Sequence, residues 1–170
     1  MIKMQESKQV KCNFRVGYGY DVHRFEDGRD LVLGGVKIPY HKGLKGHSDA
    51  DVVIHAICDA LLGSAALRDI GYHFPDANSE FKGIDSKILL QKTMDLLHDK
   101  GFEVSNIDVT VMLEKPKLSP YIGKMQEVLD NIISCGKGCV SVKATTTEKL
   151  GFAGREEGIA AAAVALVYEV

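Results

Sequence analysis

Asp21 and His23 are the first residues whose types and spacing could support metal chemistry. They lie two positions apart in the segment GYGYDVHRFEDG, whose alternation predicts a strand. Successive side chains of a strand point to opposite faces, so both potential ligands project to one face while Val22 points to the other. For any single Asp or His, an exposed polar face of an edge strand is the simpler interpretation. A metal site therefore requires a further ligand elsewhere in the chain.

His55 is the candidate third ligand, and it lies in a predicted helix. Ser48 is a good N-cap for this helix, which we expect to extend to about Ala66. The spacing of four residues places Asp51 and Asp59 on the same side of the helix as His55. Carboxylates one turn from a histidine could accept the ring N–H that is not used for a metal. The alternative is a solvated helix face whose charges stabilise the helix.

Asp21, His23 and His55 together predict a metal centre with three protein ligands and one open position. That pattern is typical of catalytic zinc. Iron held by two histidines and one carboxylate uses the same ligand set, so the ligand types alone leave both metals open.

A second group of polar residues lies in the segment KATTTEKLGFAGR. Threonines 145–147 and Glu148 supply hydroxyl groups and a carboxylate, while Lys143, Lys149 and Arg155 supply positive charge. This mixture suits a diphosphate bound with Mg²⁺ or Mn²⁺, because hard cations prefer carboxylate and phosphate oxygens. A threonine-rich strand end with a charged turn is the alternative.

Two further segments are weaker candidates. LEKPKLSP contains a turn fixed by proline, with Lys115 and Lys117 available to a flat ring or a phosphate. LKGHSDAD places His47 and Ser48 near a helix N-terminus, where backbone N–H groups favour anions. The segment lacks the lysine-serine pair of a P-loop, so that class of nucleotide site is excluded.

The composition limits the class of protein. A chain of 170 residues with 45% hydrophobic and 26% charged residues is expected to form one globular domain. The net charge of −2 argues against nucleic acid as a partner. We find neither a signal peptide nor a membrane span, and therefore expect a cytoplasmic protein. The four cysteines lack zinc-finger spacing and are expected to be free thiols.

The remaining elements are predicted from periodicity and from turn residues. RDIGYHFPDANSEFKG is predicted to be a functional loop. GIAAAAVALVYEV is ambiguous, because alanine favours a helix whereas valine and tyrosine favour a strand. The other predicted elements are a strand over Phe14 to Phe25, an extended segment over Asp30 to Pro39, a helix over Lys87 to Lys100, a strand over Glu103 to Leu113, a helix over Tyr121 to Ile133 and a strand over Val140 to Ala144.

Several longer motifs resemble one known family closely. They are GYGYDVHRF, LGGVKIPYHKGLKGHSDADVVIHAICDALLGSAAL, RDIGYHFPD, FKGIDS and VKATTTEKLGFAGREEGIAA. The sequence from about Phe14 to Val170 resembles the 2-C-methyl-D-erythritol 2,4-cyclodiphosphate synthases of the non-mevalonate isoprenoid pathway. Residues 1–13 lie outside the resemblance, as an N-terminal extension of unknown role. Residues 14–170 are the expected single domain.

The resemblance implies roles for residues that match the family's motifs. The zinc ligands fall on Asp21, His23 and His55. The second divalent ion falls on Glu148, and His47 and Thr146 are implied as catalytic hydrogen-bond donors. Ser48 matches the loop that contacts the substrate phosphate. Asp51 and Asp59 are still expected to accept the His55 ring N–H that is not used for the metal.

Substrate contacts are implied in four groups. Contacts to the methylerythritol part fall on Asp69, Ile70 and Gly71. The adjoining loop matches Phe74, Pro75, Asp76, Ala77 and Asn78. The cytidine-binding turn matches Leu113, Glu114, Lys115, Pro116, Lys117, Leu118 and Ser119. The phosphate and cytidine side matches Thr145, Thr147, Phe152 and Arg155. The sequence departs from the family's common pattern at Asn78-Ser79, Tyr18 and Arg68.

The resemblance also implies a fold and a reaction. The fold is α+β, with a mixed β-sheet and helices on one face, and it assembles as a homotrimer with the sheets toward the threefold axis. The closing alanine-rich run is a strand in that fold. The implied reaction converts 4-diphosphocytidyl-2-C-methyl-D-erythritol 2-phosphate to the cyclic diphosphate and releases CMP. A zinc-dependent phosphohydrolase and a non-catalytic trimer that binds nucleotides or diphosphates are the alternatives.

Overall fold

β1 (Phe14–Asp27) carries the first two candidate ligands and lies next to the edge strand of a five-stranded sheet. The computed structural model describes residues 13–75, 78, 81 and 83–170. The expectations for residues 1–12, Asp76 and Ala77 lie outside the described residues. The structure is a single α+β domain, as expected.

The predicted strands and helices are present in the predicted order, whereas the short elements over residues 42–44, 70–73 and 151–154 were not predicted, and residues 70–73 form a helical turn inside the segment expected to be a loop. After β1 the strands are β2 (Leu31–Leu33), β3 (Val36–Ile38), β4 (Lys42–Leu44), β5 (Phe102–Met112), β6 (Val140–Thr145) and β7 (Gly158–Glu169). The helices are α1 (Val52–Ser64), α2 (Ile70–His73), α3 (Ser86–Asp99), α4 (Ile122–Ile133) and α5 (Gly151–Gly154). No helix within these described ranges is long and apolar enough to cross a membrane.

The main sheet is mixed and has the strand order β4-β1-β7-β5-β6. β7 pairs antiparallel with both β1 and β5, whereas β5 and β6 run parallel. One row across the sheet joins Val22, Ala160, Met112 and Thr145, which are register partners on four successive strands. Three strand spacings of about 4.8 Å separate the ends of this row by about 14 Å. The row connects the metal-ligand strand with the threonine-rich strand end.

β7 settles the ambiguity of the alanine-rich run. It lies between two long strands, so its backbone groups are paired on both sides. Ala161, Ala163 and Ala165 are fully buried on the side that faces the helices. Tertiary position therefore outweighs the helix propensity of alanine, and the small side chains allow α1 to lie close to the sheet.

Two glycines explain the glycine-aromatic alternation of β1. A Cβ atom at Gly17 would lie 1.8 Å from the carbonyl oxygen of Ala60, and one at Gly19 would lie 2.0 Å from that of Ala56. Only glycine permits this approach of β1 to α1. The opposite face of β1 presents large side chains to the surface, among them Tyr18, which is 64% exposed.

The start of α1 differs from the expected start. Asp51, rather than Ser48, is the N-cap, and its carboxylate accepts hydrogen bonds from the backbone N–H groups of Val53 and Ile54. Ser48 lies three residues earlier in the preceding loop, where its hydroxyl accepts from the Ala50 N–H at 3.1 Å. Both residue types are good N-caps, so composition alone could not choose between them.

The cysteines differ from the expectation of free thiols. Cys135 and Cys139 are joined by a disulfide, and their Cα atoms lie 6.1 Å apart. Ser134, Gly136 and Gly138 have positive φ angles, which turn the chain back between α4 and β6. Cys58 is a free, buried thiol in α1, and burial raises its pKa to about 12. Cys12 lies outside the described residues.

Candidate active site

The three candidate ligands converge, as the hypothesis of a shared metal site requires. The His55 Nδ1 atom lies 2.9 Å from Asp21 Oδ2, and the His23 Nε2 atom lies 3.0 Å from the same oxygen. The two histidine nitrogens lie 3.2 Å apart. One donor atom from each residue falls within 4.8 Å of the others, which is the geometry of a site able to hold a metal ion. β1 supplies two of the donors on its helix-facing side, and α1 supplies the third.

The mutual hydrogen bonds change the titration of these groups. Burial alone would raise the pKa of Asp21, but hydrogen bonds from His23 and His55 hold that pKa far below its ordinary range. Burial alone would lower the pKa of His23, but its contact with Asp21 raises that pKa above the ordinary value. An anionic carboxylate beside two imidazoles is a suitable donor set for a divalent cation, with which protons compete.

Each histidine is also held on its far side. His23 Nδ1 lies 2.7 Å from the carbonyl oxygen of Lys45, which can only accept a hydrogen bond. This contact holds a proton on Nδ1, so Nε2 is the ring nitrogen that faces Asp21 and would bind a cation in place of a proton. His55 Nε2 lies 3.0 Å from Ser86 Oγ and 3.3 Å from Ser48 Oγ. The supporting contact of His55 is therefore formed by serine hydroxyls.

Asp51 and Asp59 do not support His55 in the expected way. Asp51 is fully buried and accepts from the backbone N–H groups of Gly34 and Gly35 as well as from the start of α1. Asp59 accepts from the Ile70 N–H at 2.8 Å and so holds the start of α2. The prediction that the His55 ring donates to one of these carboxylates is wrong, because its nitrogens contact Asp21, Ser86 and Ser48 instead.

The burial of Asp51 has an electrostatic cost. Burial and the nearby charge of Asp49 raise the pKa of Asp51 to about 6, although the backbone N–H groups of Gly34 and Gly35 oppose this shift. The carboxylate ties the β2–β3 turn to α1. Its contribution is to hold the scaffold of the site rather than to orient a ligand.

A pocket of about 220 Å³ opens beside the metal ligands. Among the predicted substrate residues, those that line it are His47, Ser48, Ile70, Gly71 and Phe74. Sequence reasoning missed the apolar residues that complete its wall, which are Phe81, Ile84 and Leu89. The wall next to the metal ligands therefore combines apolar surface with the exposed His47 ring.

Three other predicted residues of this region have local structural contacts. Asp69 is the N-cap of α2 and accepts from the Tyr72 N–H at 2.9 Å. Asn78 donates its backbone N–H to the Pro75 carbonyl at 2.9 Å. These contacts set the shape of the loop next to the pocket.

The loop that bears His47 is held by a residue that sequence analysis did not single out. Arg29 donates to the carbonyl oxygens of Gly46 at 2.8 Å and of Ser48 at 2.6 Å. These two hydrogen bonds span the loop on either side of His47. Because both involve a guanidinium ion, they are stronger than neutral hydrogen bonds. Arg29 gives no local sequence signal, since it lies in a turn remote in sequence from the loop.

A second pocket, of about 210 Å³, lies at the other end of the row across the sheet. The predicted cytidine-binding residues Leu113, Glu114, Pro116, Lys117, Leu118 and Ser119 line it together with Thr145 and Thr146. Ile122 and Ala144 complete the wall. The Lys115 side chain lies at the surface, 3.0 Å from Glu156. The predicted turn and the predicted threonines thus meet in one pocket.

The threonine-rich turn is organised by two glutamates. Glu114 accepts from the backbone N–H groups of Thr147 and Lys149, both at 3.1 Å, so its carboxylate shapes the turn. Glu148 has a φ of 52° and accepts a hydrogen bond from the Thr146 hydroxyl at 2.6 Å. This contact places the predicted second metal ligand beside a predicted catalytic donor.

Arg155 and Phe152 lie just beyond this turn. Arg155 is exposed and pairs with Glu157 at 2.8 Å, and Phe152 is half-buried in α5. Neither residue lines either of the two pockets described. Their predicted contacts with substrate stay predictions.

The fold and the site together define a single-domain α+β protein with a side-chain cluster that could hold a metal ion. The YgbB family model matches residues 14–168. A 2-C-methyl-D-erythritol 2,4-cyclodiphosphate synthase from Porphyromonas gingivalis is 60% identical over 158 residues, which are 93% of this chain and 98% of that protein. A synthase of the same name from Syntrophobacter fumaroxidans is 61% identical over 90% of this chain and 96% of its own length. The chain therefore belongs to the YgbB family of 2-C-methyl-D-erythritol 2,4-cyclodiphosphate synthases.

Solved structures agree with this assignment. The IspF protein of Plasmodium falciparum, in a CDP complex, matches with a TM-score of 0.80 and 31% identity over 94% of this chain and 99% of that one. The bifunctional IspDF of Campylobacter jejuni matches with a TM-score of 0.89 and 43% identity. That match covers 92% of this chain, which spans only 42% of the longer bifunctional protein.

Proposed function

We propose that this chain converts 4-diphosphocytidyl-2-C-methyl-D-erythritol 2-phosphate to 2-C-methyl-D-erythritol 2,4-cyclodiphosphate and CMP, in non-mevalonate isoprenoid biosynthesis. The observation that carries the proposal is the convergence of Asp21, His23 and His55 beside a pocket within a fold of this family. The relatives named above carry the name of this synthase, and one solved relative is a CDP complex.

The reaction needs positioning more than it needs a base. An oxygen of the 2-phosphate forms a bond to the β-phosphorus, and the bond from that phosphorus to the bridging oxygen breaks. CMP leaves with the electron pair. The attacking phosphate is already anionic near neutral pH, because its second pKa is about 6. The barrier lies in bringing two anions together and in stabilising the charge of the leaving group.

The chain supplies donors for both tasks. Asp21, His23 and His55 would hold Zn²⁺, and Glu148 would hold Mg²⁺ or Mn²⁺. When bound, these ions act as Lewis acids that neutralise the charge of the diphosphate. His47 lines the metal pocket, where its ring can donate a hydrogen bond to a phosphate oxygen. Thr146 lines the second pocket, where donation to a phosphate oxygen would replace its hydrogen bond to Glu148. Water must be excluded so that cyclisation outcompetes hydrolysis.

A homotrimer with the sheets toward the threefold axis is part of the proposal. The side of β1 that faces away from α1 carries large apolar side chains, including Phe14, Val16 and Tyr18, which are 57%, 67% and 64% exposed. Val164 on β7 extends this face as the register partner of Tyr18. A contiguous apolar face of this kind is typical of a surface that is covered in an assembly.

Product analysis tests the reaction directly. We expect the protein, zinc and Mg²⁺ to release one CMP per substrate and to form a cyclic diphosphate, as detected by ³¹P NMR and mass spectrometry. In H₂¹⁸O, cyclisation places no solvent oxygen in either product. Incorporation of ¹⁸O would instead identify a phosphohydrolase, and a mixture that releases no CMP would identify a non-catalytic binding protein.

Two variants separate the metal sites. His55→Ala is expected to lose zinc and most turnover while it stays folded, because it removes one of three donors. His98→Ala is the matched control, since His98 is 42% exposed and pairs with Glu103 on the surface. Full zinc occupancy in His55→Ala would contradict the ligand assignment.

Glu148→Gln is expected to keep zinc and to lose most of kcat, because the amide is a poor ligand for Mg²⁺. Glu103→Gln provides the matched control for an exposed carboxylate. Unchanged turnover of Glu148→Gln at limiting Mg²⁺ would argue against the proposed role of Glu148.

A further inference from the structure

Ser86 and Asp49 lie behind the metal centre, on the side of His55 that faces away from Asp21. Ser86 is the first residue of α3 and is fully buried. Its hydroxyl oxygen lies 3.0 Å from His55 Nε2, and the same hydroxyl donates a short hydrogen bond to Asp49 Oδ1. A continuous chain of hydrogen bonds therefore joins His55 through Ser86 to a carboxylate.

The direction of this chain follows from the donors and acceptors. An ionised carboxylate can only accept, so the Ser86 proton points to Asp49. The Ser86 oxygen then has its lone pairs available, and it can accept only if His55 carries a proton on Nε2. Nδ1 is then the ring nitrogen that faces Asp21, at 2.9 Å, and a bound cation would take its lone pair in place of the hydrogen bond to that carboxylate.

Asp49 is itself held in place by backbone groups. Its Oδ2 atom accepts from the Ser86 N–H at 3.1 Å, and its Oδ1 atom accepts from the Asp51 N–H at 3.3 Å. Ser48 Oγ lies 3.3 Å from His55 Nε2, which is a longer contact than that of Ser86. Ser86 and Asp49 are thus the better-defined partners of the imidazole.

We propose that Ser86 and Asp49 are positioning residues that fix His55 as the Nε2-protonated tautomer, so that Nδ1 is the metal-binding atom. The inference rests on the proposed metal site. It assigns to the first residue of α3 and to an aspartate of the loop before α1 the role that spacing had predicted for Asp51 and Asp59. His23 is oriented by a different device, the Lys45 carbonyl, and uses its other nitrogen, Nε2.

The tautomer can be read directly in the zinc-loaded protein. Long-range ¹H–¹⁵N correlation spectra of protein labelled with ¹⁵N-histidine distinguish the protonated ring nitrogen from the metal-bound one. We expect His55 to be protonated on Nε2 and His23 on Nδ1. A spectrum that shows His55 protonated on Nδ1 would overturn the inference, and this measurement requires no variant.

Zinc affinity provides the second test, by competition with a chelator. We expect Ser86→Ala to weaken zinc binding by about 10- to 100-fold, the usual effect of removing a partner behind a metal ligand. Ser86→Thr retains the hydroxyl and should recover most of the affinity. Ser64→Ala is the matched control, because Ser64 is a buried serine of α1 whose hydroxyl donates to the Leu61 carbonyl, remote from His55.

Three results would overturn the inference: wild-type zinc affinity in Ser86→Ala, an equal loss in Ser86→Thr, or an equal loss in Ser64→Ala. Neither the spectrum nor the chelator competition uses the substrate. Failure of the wild-type protein to release CMP would therefore disprove the proposed function without affecting this inference. If Ser86→Ala failed to fold, the wild-type spectrum would still decide the result.

Discussion

The close contact between β1 and α1 predicts that Gly19→Ala damages the metal site from a distance. The new Cβ atom would lie 2.0 Å from the Ala56 carbonyl oxygen, whereas ordinary contact begins at 3.4 Å. The helix or the strand must therefore shift by 3.4 − 2.0 = 1.4 Å. Ala56 directly follows His55, and Gly19 lies two residues before Asp21 on the same face of β1, so the shift separates metal ligands.

The size of the effect follows from two limits. Metal–ligand distances tolerate only about 0.2 Å, which is far less than the required shift. Overpacking of this kind costs about 1–3 kcal/mol. If that free energy is expressed as weaker metal binding, the zinc affinity falls by about 5- to 150-fold. The strain that α1 does not relieve by moving should lower the free energy of unfolding of the metal-free protein.

Chelator competition and urea unfolding measure the two parts. Gly63→Ala is the matched control, because Gly63 also lies in α1 but a Cβ atom there would have no neighbour within 4 Å. That control should keep its zinc affinity and gain up to about 1 kcal/mol in stability, as alanine is a better helix former. Wild-type zinc affinity in Gly19→Ala would refute the reasoning.

Three further predictions concern the surroundings of the site. Arg29→Met should lower the free energy of unfolding by about 1.5–3 kcal/mol, because it removes charged donors to the 46–48 loop, and Arg29→Lys should recover part of the loss in urea unfolding. In the metal-free protein, the raised pKa of His23 stabilises the fold below pH 6.5, the ordinary pKa of histidine, and this stabilisation is lost as the pH rises. The lowered pKa of Asp21 stabilises the fold above pH 3.8, the ordinary pKa of aspartate, and this stabilisation is lost as the pH falls. The difference in stability between wild type and Asp21→Asn should therefore be largest between about pH 4 and 6.5, and a difference that grows steadily to pH 8 would contradict the two shifts. Tyr18→Glu should yield a smaller species than wild type in sedimentation experiments, and an unchanged species would argue against assembly through this face of β1.

Much of the fold could be predicted from local patterns. The alternation of β1 gave its length and its ligand-bearing face, and turn residues marked the ends of α3 and β5. The strand period predicted that Asp21 and His23 share a face, whereas their convergence with His55 was a hypothesis from ligand types that the resemblance supported. The resemblance supplied the state of β7, which depends on its neighbours in the sheet rather than on its own residues.

Long-range contacts set the limit of sequence reasoning. Ser86 is 31 residues from His55, and Arg29 is 19 residues from Ser48, so neither contact leaves a local pattern. Asp51 has helical spacing to His55, but its carboxylate instead accepts hydrogen bonds from the backbone N–H groups of Gly34 and Gly35 in the β2–β3 turn. The disulfide between Cys135 and Cys139 depends on glycine turns whose direction the composition did not predict.

The alternation of β1 gives the chain a built-in check on strand register. The two glycines of close approach face α1, and Asp21 and His23 lie on the same side of the strand. A slip of one residue against β7 would turn every side chain to the opposite side. It would force Tyr18 or Tyr20 against the backbone of α1 and carry both ligands away from His55. Metal binding by this chain would therefore indicate that β1 has paired with β7 in the correct register.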